Sequence, residues 1–203
     1  TIACAESHII FWMELVEGQS RPKEGPFRKA PLADDLGKTA ALVVRIATSI
    51  HGSGRVVALD SGFGYLPSVK ELLARGLYST AVIKKRSHWP KGVPGQAILN
   101  HVHGRDVGDL QALVGEGDND GVWIGAMADS KHTSIMANSW GTTNRTGPTK
   151  RRRVGGERVE FQYDECRNAY YSARHAVDDH NNRQGVLSLE AACAVKDWTK
   201  RQF

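Results

Sequence analysis

The chain lacks any unbroken run of about 18 apolar residues, the length a helix needs to cross a bilayer, so no membrane-spanning helix is expected. Cysteine is scarce. Cys4, Cys166 and Cys193 are odd in number and share no metal-ligand spacing. That argues against a disulfide scaffold and points to a reducing compartment, with nuclear or cytoplasmic residence expected. No internal repeat is visible, and no charged-then-apolar leader follows the first residue, Thr1, so the chain reads as a fragment or a processed product. Charge of one sign is not dominant either. The net charge of +5 is mildly basic, compatible with a phosphate-rich partner without establishing one.

What is present is an ordinary apolar fraction and 21 glycines in 203 residues, enough for a real core with many turns in one or two domains. Residues 1–5 and 7–16 read as two strands with a tight turn at Glu6-Ser7. A proline-rich loop follows over 19–33. Helical spacing then runs from Leu36 to Ile50, with Asp34-Asp35 placed to cap its start and His51-Gly52-Ser53-Gly54 to end it. Arg55 to Leu59 is a short apolar run without alternation, as in a strand covered on both faces in the middle of its sheet. A helix over 66–75, closed by Gly76, leads to a second such run at 79–83, so a parallel crossover is expected. From Trp89 to Gly121 the pattern breaks into turns. Residues 122–127 and 132–140 suggest an antiparallel pair, and 141–158 a polar, mobile loop. Phe161 to Asn182 and 188–203 suggest helices.

Two clusters could carry chemistry. Asp60 stands directly after a buried strand, at the carboxyl edge where α/β sheets bind ligands and metals. Asp60-Ser61-Gly62-Phe63-Gly64 also matches the D-x-G-x-G turn of nucleotide- and methyl-donor-binding folds. Such a fold wants an acid at the end of the next strand, where Lys84-Lys85-Arg86 stands instead. A simpler alternative is that Asp60 only caps the following helix. The second cluster, Arg174 to Asn182, crowds acids, histidines and amides into two helical turns, with Asp178 and Asn181 three apart on one face. A solvated helix face explains it equally, except that Ala176-Val177 suggests partial packing, and buried acids need a partner such as a cation. Converging strand-end and helix aspartates suit two-metal phosphodiester chemistry.

Asp60-Ser61-Gly62-Phe63 after its strand, Gly76-Leu77-Tyr78 leading into Ser79 to Lys85, and Ala176-Val177-Asp178-Asp179-His180-Asn181 on a helix together resemble piggyBac-type DNA transposases along nearly the whole chain. The resemblance implies a ribonuclease-H-like α/β core, a mixed sheet flanked by helices, with a β-rich insertion. Residues 1–88 and 161–203 would form the core and 89–160 the insertion. It implies a two-Mg²⁺ site for strand cleavage and transfer, with Asp60 and Asp178 as the second and third catalytic aspartates and Asn181 as a further ligand where the family has an acid. The first aspartate would lie before Thr1, and Glu14 and Glu17 do not match it. The family's cysteine-rich zinc module would lie beyond Phe203. The 203 residues are therefore expected to be inactive by themselves. The implied partners are transposon-end DNA and a second copy in a homodimer, with no membrane. A domesticated DNA-binding or interaction domain without catalysis is the alternative.

Lys84, Lys85 and Arg86, with Lys150, Arg151, Arg152 and Arg153, are the candidate phosphate contacts, although 150–153 would serve equally as a nuclear import signal or as a plain solvated loop. His88, His101 and His103 have no cysteine near them and make a poor zinc set. Trp89 and Trp140 are expected to pack rather than stack on bases.

Overall fold

The computed structural model describes residues 2–7, 9–12, 36–84, 95–103, 105–129 and 133–186, with the backbone path alone for 95–97, 99, 119 and 177–186. In chain order these form β1 (Ile2–Ala3), β2 (Ile10–Trp12), α1 (Lys38–Ile46) with a 3-10 turn at Thr48–Ile50, β3 (Val56–Leu59), α2 (Leu66–Ala74) and β4 (Tyr78–Val82). There follow α3 (Gly95–His103), β5 (Leu110–Val114), β6 (Trp123–Ala128), β7 (Thr133–Asn138), β8 (Arg145–Val154), β9 (Glu157–Asp164) and α4 (Glu165–Val186).

A five-stranded mixed sheet in the order β3-β4-β7-β6-β5 organises the chain. β3 and β4 are parallel, joined by α2, as the crossover pattern predicts, and every other neighbour is antiparallel. α2 begins with proline in its first turn, where the missing N–H costs nothing. It ends in a Schellman closure at Gly76 (φ +70°), with Leu77 N–H on the Leu72 carbonyl and Gly76 N–H on the Leu73 carbonyl. The sheet alternates cleanly. Ala81, Ile124, Ala126, Ile135 and Ala137 face a core shared with Val69 and Leu72 of α2 and Ile98 and Val102 of α3. Thr80 and Asn138, paired across β4 and β7, face the other way, toward α4.

The structure corrects four expectations. Among the described residues β3 is an edge strand rather than a central one, and Val56 is correspondingly exposed. Its unalternating run reflects shortness, α2 covering one side and α4 part of the other. Trp89 to Gly121 is not irregular throughout: α3 and β5 lie there, too short to stand out between glycines. Residues 141–158 are not a loop, since Arg145–Val154 is a strand paired antiparallel with Glu157–Asp164. Accordingly the C-terminal helix starts at Glu165, four residues after Phe161, because 157–164 belongs to that hairpin. The β1–β2 pair and the β6–β7 pair are antiparallel as expected. The Asp34-Asp35 cap and the helix over 188–203 lie outside the described residues.

Candidate functional site

β3 delivers Asp60 to the carboxyl end of the parallel pair, and a tight turn holds it there. The Asp60 carbonyl accepts the N–H groups of Phe63 and Gly64, both at 2.8 Å. The second glycine of this turn is needed for contact rather than for an unusual φ. A Cβ on Gly64 would sit 1.8 Å from the Val82 carbonyl oxygen, so the turn lies backbone-to-backbone on the end of β4. Asp60 does not cap α2: the N-cap residue is Tyr65, and no side chain caps that helix. The Asp60 side chain is exposed, and its Oδ1 accepts a 3.4 Å hydrogen bond from the Tyr170 hydroxyl of α4. Burial, and then the Asp60 charge, push the Tyr170 hydroxyl up to about 12, so it stays a neutral donor.

α4 is pinned before it reaches Asp60. Asp164 is its N-cap, with Oδ1 accepting the Arg167 N–H at 2.9 Å. The Arg167 guanidinium pairs with the other Asp164 oxygen, and both side chains are wholly buried. Its Nη2 also donates at 2.8 Å to the carbonyls of Gly125 in β6 and Ser134 in β7. Thr80 of β4 donates to Asn138 Oδ1 at 2.8 Å and lies 3.5 Å from the Cys166 carbonyl. The Cys166 thiol donates to the Trp140 carbonyl at 2.7 Å. Burial, with Asp164 and Glu165 adding to it, raises the thiol to about 12, so it is inert. The helix thus meets β4 at Cys166, β6 and β7 through Arg167, and the end of β3 through Tyr170. Asp178 lies eight residues beyond Tyr170 on this helix, about 12 Å further along its axis. The Asp178 and Asn181 side chains lie outside the described residues, as do Lys85, Arg86, His88 and Trp89.

Among the described residues no three His, Cys, Asp or Glu side chains gather to hold a metal ion, and no helix is long and apolar enough to cross a membrane. Lys84 is exposed just after β4, beside the strand that ends at Asp60. On α3, His101 meets Arg105 at 2.7 Å. The 150–153 run is divided by the pleat of β8. Lys150 lies 5.5 Å from the centroid of the Tyr163 ring, and Arg152 binds Asp129 Oδ1 and the Tyr163 hydroxyl, both at 3.1 Å. Arg151 pairs with Glu160 at 2.7 Å, whereas Arg153 stands opposite Arg158. Sequence reading missed Arg158, Arg167 and Tyr170. Asp164 three residues before Arg167 is a readable N-cap signal, while the reach of Tyr170 to Asp60 across 110 positions has no local signature.

The family described as Transposase IS4 matches residues 1–203. No curated protein and no solved structure matches the chain.

Proposed function

The chain belongs to the Transposase IS4 family, and from that premise we propose that it is the catalytic region of a piggyBac-type DNA transposase with a ribonuclease-H-like core. In this reading Asp60 and Asp178 are two carboxylates of its Mg²⁺ site and Asn181 is an amide ligand. The observation that supports it most is the hydrogen bond from Tyr170 to Asp60, because it ties the helix that bears Asp178 to the strand end that bears Asp60. The donor chemistry fits. Asp60 is an exposed carboxylate that accepts one side-chain hydrogen bond, from Tyr170, among the described residues, which leaves oxygen lone pairs open, and Mg²⁺ takes oxygen ligands. Bound Mg²⁺ supplies Lewis-acid activation of the attacking oxygen and stabilisation of the leaving one.

The chain's own residues do the rest. Tyr170, neutral and buried, orients the Asp60 carboxylate without competing for protons. The Gly64 contact with β4 fixes the turn beneath it. Lys84, beside that edge, holds a phosphate of the DNA backbone. Residues 1–88 and 161–203 form the core in this proposal together with β5, β6 and β7 of 89–160, which lie in the same sheet. Nuclear residence and a homodimer belong to the same proposal.

Two measurements test it. Mn²⁺ titrated into the chain is expected to broaden NMR signals of Tyr170 and of residues 59–62, and Asp60→Ala is expected to abolish the effect. Unbroadened signals there at saturating Mn²⁺ would remove Asp60 from the metal site. With duplex DNA, the 203-residue polypeptide, carrying two of the three acids in this reading, is expected to retard DNA without nicking it. Metal-dependent nicking lost in Asp60→Ala would show instead that its own acids suffice.

A further inference from the structure

The hairpin of β8 and β9 closes on a two-residue turn, Gly155-Gly156, with φ of +58° and +94°. Positive φ at both positions makes the turn that matches strand twist, and only glycine adopts it freely here. Partners across an antiparallel pair share a face, so the register assigns two faces. The inner one holds Lys150, Arg152 and Phe161, and Arg152 anchors it to the body through Asp129 and Tyr163. The outer one holds Arg151 with Glu160 and, nearest the tip, Arg153 directly opposite Arg158. Arg151, Arg153 and Arg158 are exposed, and with Arg152 and Gly156 they line an open depression of about 430 Å³. Like charges placed directly opposite one another destabilise a hairpin unless an anion lies between them.

The outer face has no apolar anchor. Besides these arginines it shows Thr149, Glu160 and Gln162, all exposed. A protein partner's binding energy would come from buried aromatic or apolar side chains, and none is offered. A phosphate chain needs only the cations, and a two-stranded ribbon is narrow enough for the major groove of a duplex.

The register also places the point where the hairpin's inner face is anchored. β6 runs parallel to β3, and the row Leu59, Ala81, Ala137, Ile124 crosses the sheet from β3 to β6. Asp129, which holds Arg152, follows β6 five residues after Ile124, whereas Asp60 follows Leu59 by one. Strand spacing and rise then put Asp129 about 20 Å from Asp60, pointing the same way. We propose that Arg153 and Arg158, at the tip of this hairpin, clamp a backbone phosphate of the DNA, apart from the phosphate held at Asp60. The inference rests on the DNA-transposase reading above and adds to it a second contact, with Arg158 as a member.

The test is the salt dependence of binding, measured as fluorescence anisotropy of a labelled duplex with the chain. Each lost phosphate contact should make the slope of log K against log salt shallower by about 0.9. The double variant Arg153→Ala/Arg158→Ala, which gives up that one phosphate, should lose about 0.9 of slope and weaken binding at 50 mM salt on the order of tenfold. Arg158→Glu should also weaken binding, yet it should hold or raise the thermal midpoint, because it replaces a repulsive pair by an attractive one. If the double variant binds DNA with the parent's slope, the clamp is wrong and the transposase reading stands. If the parent chain binds no DNA at any salt, both fall together.

Discussion

Arg167 is buried to the last atom, and its charge is answered by one carboxylate and two carbonyls. Removing it strands the Asp164 carboxylate in the interior, and breaking a buried pair costs about 3–5 kcal/mol. Arg167→Met is therefore expected to lower the urea midpoint sharply, and a midpoint within error of the parent's would mean that Asp164 finds another partner. Tyr170 makes a pH prediction. Its hydroxyl is raised to about 12 from the ordinary value of 10, so the folded chain keeps a proton that the unfolded chain releases. The associated stability is complete below about pH 10 and is lost as pH climbs toward 12. Tyr163 and Cys166 are raised by burial in the same direction. Tyr170→Phe should flatten part of the alkaline decline, checked by urea unfolding at stepped pH; an equally steep decline would refute the cause. The place of Asp60 at a strand end was legible because an acid after an apolar run is a local pattern. Arg167 was not, since its partners Gly125 and Ser134 are carbonyls far away in sequence.

Elements were legible where period and punctuation agreed. VVAL, the helix ended by Gly76 and the strand after it follow from apolar spacing and one glycine in the left-handed region. β8 was hidden by its composition, since five of its ten residues, Arg145 and Lys150 to Arg153, are basic and its apolar content is low. The Gly-Gly turn between Val154 and Glu157 was the signal to follow. The Asp60 turn has no such freedom. Gly64→Ala would drive a methyl into the Val82 carbonyl, so the turn must lift away from β4. We expect a loss of about 1–3 kcal/mol, as for overpacking, together with weaker Mn²⁺ broadening at Tyr170. A variant with full stability and unaltered broadening would show that the turn can shift without moving Asp60.

At the scale of the molecule, β4 and β7 lie inside the sheet and β3 and β5 at its described edges. Native-state hydrogen exchange should be slowest at Thr80, Ala81, Met136 and Ala137 and faster at Val56 and Val114; the reverse order would contradict the strand order. That order was not legible, because the placement of β7 beside β4 depends on pairing between segments more than 50 residues apart. The anchoring of α4 has a consequence in time. Arg167 needs carbonyls from β6 and β7, and Tyr170 needs the end of β3, so this helix has nothing to dock against until strands far apart in the chain have met. Contacts of such long range form slowly. During synthesis, residues 164–186 leave the ribosome after every strand of the sheet, and domains fold as they emerge. The end of β3 that carries Asp60 is therefore made, and can pair with β4, before the helix that meets it through Tyr170 has emerged.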